Sequence, residues 1–242
     1  MDGELVNAFD YERAAAAKLD AGTLGYFAGG AGDELTLAEN VEAWRRWRFV
    51  PRVLRGAGEP STEVELLGAP LSMPVVVAPV AYQRLVHSEG EAGMAAGAAA
   101  AGTAMCLSTL ATTRPSELAA AAPPGRRWFQ LYCFRDAAVT EALTQEAVEC
   151  GFEAIVVTVD APPGGNRERD LRTGFHIPEG VGVPSVAAAL GSERAVTIRE
   201  TFDLMDLALG WDDLGRLADS ASVPVLVKGV LSPADAALAV EH

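Results

Sequence analysis

The chain is poor in several things that would have fixed its class at once. Basic residues are scarce: 19 Lys and Arg stand against 33 Asp and Glu in 242 residues, a net charge of -14, and no Lys/Arg cluster offsets it. Such a field favours solubility and works against a polyanion, so nucleic acid is not expected as a partner. Cysteine is rare too. Cys106, Cys133 and Cys150 are an odd set without metal-type spacing, each reading as a small buried apolar residue in a reduced, cytoplasmic compartment with no metal site. No apolar run reaches the roughly 20 residues that span a bilayer, and the acidic start MDGELVNAFDYE lacks the apolar core of a secretory signal, so no membrane is expected. The loop APVAYQRLVH after the first strand candidate carries no glycine fingerprint for a dinucleotide.

What is present is organised around Trp128 to Arg167. Two apolar runs, WFQLY and AIVVTVD, end in polar residues, and between them Val139, Leu143, Ala147 and Val148 recur at helical spacing over 138–150. That is a strand, helix, strand unit. A parallel pair buried on both faces explains the unbroken IVV and sends both carboxyl ends to one side, so Gln130, Tyr132, Thr158 and Arg167 are expected on one rim, where parallel sheets bind ligands.

Around this unit, residues 8–28 and 34–47 have helical patterns, the first weakened by Gly22 and Gly25, and RFVPRVL follows as an extended segment. Residues 1–72 are expected to be an appendage and 73–242 the main body of a single domain. From Met73, short Val/Ile/Leu runs alternate with Ala-rich helical stretches. The strand candidates are 75–78, 104–107, 128–131, 154–159 and 225–227. Ser88 with Glu91 fits a capping box, and Ser232, Pro233 and Asp235 give a cap, a first-turn proline and an acidic start in order. Residues 164 to about 200, rich in Gly, Pro and Ser, read as a long functional or mobile loop. Five strand-helix units suit either a complete doubly wound α/β sheet or a (β/α)8 barrel lacking three units. Periodicity leaves both open.

The motifs YFAGGAGDE, FVPRVL, APVAYQRLVHSEGE, LSTLATT, FQLY, TVDAPPGGNRERD and VLVKGVL, in this order, resemble the FMN-dependent α-hydroxy-acid oxidases and dehydrogenases, the family of glycolate, lactate and mandelate oxidases. The resemblance implies an α/β fold of TIM-barrel type, here with about five units, and FMN as cofactor. It implies that the backbone of Pro79, Val80 and Ala81 lies against the isoalloxazine and that Ser108, Gln130 and Thr158 hydrogen-bond its polar edge. Lys228 would stand by the edge that becomes negative on reduction. Tyr26, Tyr132 and Arg167 would hold the carboxylate and hydroxyl of a small 2-hydroxy acid, a task that suits the planar fork of arginine. Leu110 stands where some short-chain oxidases have tryptophan, which leaves room for a larger, aryl side chain.

The family's catalytic base is a histidine in an SNHGGR-type motif, and none of His87, His176 and His242 falls on it. The sequence ends at AVEH, in or after the fifth barrel helix. The expectation is a fragment with little turnover of its own, or a half-barrel completed by a second chain; relatives are commonly homotetramers. Two other classes remain: a non-catalytic half-barrel, and a Schiff-base aldolase using Lys228, since a lysine ending a buried strand must reach solvent, a partner or a ligand. Taken singly, Tyr26 and Tyr132 are ordinary half-buried aromatics, Gln130 and Thr158 loop-capping polar groups, and Arg167 beside Glu168 and Asp170 a surface ion pair.

Overall fold

The computed structural model describes residues 5–56, 58–161 and 164–242; the first residues of the acidic start and the two prolines of APPGGNR lie outside them. In chain order the elements are α1 (Ala8–Ala16), α2 (Ala21–Ala28), α3 (Leu35–Glu42), β1 (Val64–Leu66), β2 (Ala69–Leu71), α4 (Gly90–Ala100), β3 (Met105–Ser108), α5 (Pro115–Ala121), β4 (Arg127–Leu131), α6 (Ala137–Glu149), β5 (Ile155–Thr158), α7 (Glu168–Thr173), α8 (Pro184–Ala189), α9 (Ile198–Leu204), α10 (Trp211–Ser220), β6 (Val225–Lys228) and α11 (Pro233–Glu241). Contacts divide them into two compact units, one of Met1–Glu59 with Gly164–Pro178, the other of Pro60–Pro163 with Glu179–His242. This division falls at different residues from the expected 1–72 and 73–242. No helix among the described residues is long and apolar enough to cross a membrane.

The larger unit is an arc of parallel strands in the order β3-β4-β5-β6, linked by helices as crossover connections require. On one face Met105, Leu107, Phe129, Leu131, Ile155 and Val157 are completely or almost completely buried. On the other, Cys106, Trp128, Ala154 and Val156 form a core with Leu71, Ala104 and the partly buried Val64, Val76 and Leu226. The hairpin of β1 and β2 therefore packs its apolar residues against the lower part of that second face. Burial on both faces is why IVV runs unbroken.

The first expected strand, 75–78, is reduced to a single parallel bridge, Val77 to Met105, held by Val77 N to Ala104 O and Cys106 N to Val77 O, both 2.9 Å. Pro74 and Pro79 bracket it and remove donors from the ladder. β6, which among the described residues pairs with β5 alone, is half-buried throughout, and Leu231 in the loop after it and Val240 of α11 are 97% and 88% exposed.

Three local expectations need correcting. The helix over 8–28 is two helices: Asp20 accepts from the N–H groups of Gly22 and Thr23 and starts α2, which runs through both Gly22 and Gly25. Ser88 does not cap α4; its N-cap residue is Glu89, and Glu91 is engaged elsewhere. The stretch 164–200 holds α7, α8 and the start of α9, the last opened by a reciprocal Thr197–Glu200 capping box. Ser232 accepts from Ala234 N at 3.2 Å, as its sequence indicates.

Phe129 is fully buried and meets Phe152 edge to face at 6.1 Å. Phe129→Ala should lower stability by about 3–5 kcal/mol, read as an earlier urea midpoint at unchanged slope.

Candidate functional site

Strand register decides which side chains stand together. Ser108 is level with Gln130 and Gln130 with Val156, and one step of alternation further along, Thr158 is level with Lys228. Because side chains alternate with period two, Ser108, Gln130, Tyr132, Thr158 and Lys228 belong to the same face as Cys106 and Trp128, at its carboxyl end. That face is apolar below and polar above. Arg167, expected on the same rim, belongs to the other unit.

Gln130 is 1% exposed, and its neighbours fix which way the amide points. Its Oε1 accepts from Ser108 Oγ and from the backbone N–H of Thr109, both at 3.2 Å. A backbone N–H can only donate, so the oxygen is held there and the amide nitrogen turns away. That nitrogen is buried and has no partner among the described residues; nor does the buried hydroxyl of Thr158. The indole N–H of Trp128, lower on the same face, is also buried without a partner among the described residues; each such group costs about 1–3 kcal/mol, and the two at the carboxyl end mark a place prepared for something to hydrogen-bond.

Lys228 Nζ lies 3.1 Å from Asp160 Oδ1, with the side chains 41% and 47% exposed. The lysine thus has a partner, and Asp160, in sequence only the end of an apolar run, joins the site. Gly229 makes the approach possible: its φ is +110°, and a Cβ there would collide with the Asp160 side chain. Beyond these residues opens a cavity of about 690 Å³, walled by Tyr132, Thr158, Asp160, Met205, Trp211 and Gly229 among others, a size usual for ligand sites. Its wall is built by zipping the end of β4 to the chain after α9: Phe134 bridges Met205, and Asp206 N donates to Cys133 O at 2.9 Å. Among the residues expected at the site, only Tyr132 and Thr158 reach this cavity. Ser108, Gln130 and Leu110 are buried, Pro79 and Ala81 half-buried and Val80 37% exposed.

In the smaller unit, Arg167 is already occupied. Its guanidinium donates to the carbonyls of Gly25, Tyr26 and Gly29 at the end of α2, lies 5.3 Å from the centre of the Tyr26 ring, and pairs through Nε with Asp170 at 2.7 Å. A cation at a helix carboxyl end meets the negative pole of the helix. The ion pair with Asp170 is the ordinary reading of this arginine. His87 accepts from Glu89 N, His176 contacts Gly174 O, and His242 stacks on Trp211; none of them lines the cavity.

A parallel strand arc with unpartnered polar groups at its carboxyl ends suits the α/β-barrel class of enzymes, and comparison with known proteins assigns the chain to it. The profile described as FMN-dependent dehydrogenase matches residues 15–242, and the chain belongs to that family, whose cofactor is FMN. It is 39% identical to L-lactate oxidase of Nostoc sp. over 98% of this chain and 67% of that one. It is also 39% identical to glycolate oxidase of Spinacia oleracea over 99% and 66%. A crystal structure of mandelate oxidase with (S)-4-hydroxymandelic acid superposes with a TM-score of 0.87 at 37% identity, covering 96% of this chain and 66% of that one. The chain spans about two thirds of the length of these relatives. The structural neighbours are TIM-barrel flavin oxidases, so the barrel reading stands over the doubly wound sheet.

Burial pushes the Cys133 thiol up to about 11, with Asp206 and Asp213 adding to it, and raises the Tyr132 phenol, to which Asp160 adds. Both groups are harder to ionise folded than unfolded. The stability the thiol contributes is therefore whole below its unfolded value, near 9, and is lost as pH rises through about 11; the phenol acts in the same direction. Urea midpoints should fall across that window, and Cys133→Ala should flatten the fall; an unchanged alkaline loss would count against this assignment.

Proposed function

We propose that this chain binds FMN at the carboxyl ends of β3 to β6 and belongs to an oxidation of a small L-2-hydroxy acid to the 2-oxo acid. The observation that carries the reading is the pair of buried, unpartnered groups, Gln130 Nε2 and Thr158 Oγ1, on a strand face that also bears Ser108 and Lys228. An amide donor, a hydroxyl able to donate or accept, and a cation suit the polar edge of a flavin, and the family supports that cofactor. FMN, when bound, accepts the two electrons released from the substrate α-carbon.

The residues of this chain have separable tasks. Ser108 and the Thr109 N–H lock the Gln130 amide so that it donates in one direction only. Pro79, Val80 and Ala81 offer backbone for the flat face of the ring, a role supported by the resemblance. Lys228 brings positive charge where negative charge develops, and Asp160 keeps that side chain from wandering in solvent. Tyr132, kept protonated by burial, can donate a hydrogen bond to substrate. Tyr26 and Arg167 are proposed for the substrate carboxylate on the strength of their motifs; Arg167 would have to give up carbonyl oxygens at the end of α2 to do so. Leu110 is proposed to set the room available to the substrate side chain, though its own side chain is buried.

None of the three histidines lines the cavity, so the proton acceptor of the family reaction is not supplied from there, and turnover by this chain alone should be slight. The half-buried edge strand β6 supports completion of the sheet by further strands, for instance from a second chain. The three free thiols support a reduced, cytoplasmic setting. The ion pair of Lys228 with Asp160 gives the Schiff-base reading nothing that the flavin reading lacks.

Titration of the chain with FMN should quench flavin fluorescence, and Gln130→Leu or Thr158→Val should each weaken binding about tenfold, the equivalent of one hydrogen bond. Adding an L-2-hydroxy acid anaerobically should bleach the flavin band slowly or not at all. Unquenched fluorescence, or borohydride trapping of a carbonyl substrate on Lys228, would overturn the reading.

A further inference from the structure

We infer that Glu91 is a positioning residue for the two loops that frame the flavin face, holding one against the other with a buried carboxylate. The inference rests on the flavin reading and deepens it. Glu91 sits in the first turn of α4 and is 0% exposed. Its Oε1 accepts from the backbone N–H of Thr112 at 2.7 Å and of Gln83 at 3.3 Å, and its Oε2 from the Thr112 hydroxyl at 2.7 Å. All three donors come from two loops, one after the first strand segment and one after β3. No basic side chain among the described residues pairs with it.

Burying a carboxylate without a counter-ion costs several kcal/mol, and hydrogen bonds must offset it. A leucine would fill the same space without that cost, so packing alone does not account for an acid here. What the acid does is visible one residue away. Tyr82 is fully buried at φ 51° and ψ 43°, a left-handed conformation that costs a residue with a side chain about 1–3 kcal/mol and persists only where its surroundings enforce it. Two ties enforce it: Glu91 on the next amide, and Tyr82 N donating to Leu110 O at 3.1 Å.

Gly90 lets the latch close. Its φ is +49°, and a Cβ there would stand 2.6 Å from Arg84 Cγ and 3.3 Å from Arg84 N, so only glycine lets the helix start lie this close to the turn Gln83–Leu85. Residues assigned to the flavin lie a few positions before the two held points: 79–81 end two before Gln83, and Ser108 precedes Thr112 by four. Ser108 Oγ also accepts from Leu110 N at 3.0 Å, so a shift of the second loop would disturb the oxygen that steadies Gln130.

The test compares Glu91→Gln and Glu91→Leu by FMN titration and by amide hydrogen exchange of the whole chain. Glutamine keeps Oε1 for both backbone amides, so FMN affinity should stay within about threefold of wild type and exchange should change little. Leucine fills the space and loses all three bonds. FMN affinity should fall about tenfold or more, and exchange at Gln83 and Thr112 should rise on the order of a hundredfold while β4 and β5 stay protected. A merely structural role would speed exchange throughout the unit and leave the affinity of the folded fraction alone. Should Glu91→Leu fail to fold, Thr112→Val, which removes only the hydroxyl bond, should still give a partial loss of affinity with faster exchange confined to the two loops. Protected Gln83 and Thr112 amides in Glu91→Leu, or wild-type FMN affinity, would overturn the latch. Wild-type protein that leaves FMN fluorescence unquenched overturns the flavin reading instead, and the exchange data still report on the latch.

Discussion

The parallel register of β3 to β6 is the constraint on which the rest depends. It puts Ser108 level with Gln130 and Thr158 level with Lys228, and alternation then commits all four to one face. A slip of one residue in β5 would send Thr158 among the apolar side chains of the other face and bring Val157 into its place. The slip is opposed by Ile155 and Val157, fully buried on that other face, and by Ala154 and Val156 in the core with Trp128. Chemistry at the strand ends is therefore underwritten by packing at their beginnings. The β1–β2 hairpin contributes through Leu71, which closes that core.

Polarity at the strand ends comes at a cost to the bare fold. Gln130 Nε2 and Thr158 Oγ1 have lost water and gained no partner among the described residues, and Tyr82 is held in an unfavourable conformation. These three departures gather at the loops and strand ends, above a close-packed lower half in which the Trp128 indole N–H is the further unpartnered group on that face among the described residues. Such a distribution is what a binding site predicts, since a ligand that satisfies the open groups returns the energy that the empty fold forgoes.

Much of this was legible in the residues. Continuous apolar runs gave the strands within a residue or two, Val139, Leu143 and Ala147 gave the buried stripe of α6, and Ser232 announced its helix. What escaped did so for physical reasons. Pro184 at a first helical turn and Thr197 with Glu200 were start signals in a stretch whose glycine content argued for a loop. Glu91 has the spacing of a capping residue from Ser88, but spacing cannot tell a solvated carboxylate from one drawn inward by donors eight and 21 residues away. One helix over 8–28, weakened at Gly22 and Gly25, was the reading, although Asp20 had a local reason to start a second one, two amides to accept from.

Asp160 is the most instructive of these. As the last residue of TVD it looked like the end of a strand, yet it neutralises Lys228 and contributes to the raised Tyr132 phenol. Both partners are about half exposed, so the pair adds little to stability, and its significance is positional. A lone lysine at a strand end would sample many rotamers; one tethered at 3.1 Å samples few and keeps its charge near the groups that await a ligand. The tether also tempers that charge: an anion forming nearby would meet a lysine already shared, so Asp160 sets how strongly Lys228 can respond. Gly229 belongs to the same device, because any side chain there would push the carboxylate away. Three choices, an acid after β5, a lysine ending β6 and a glycine after it, thus act as one unit, and its logic appears only when the two strands are laid side by side.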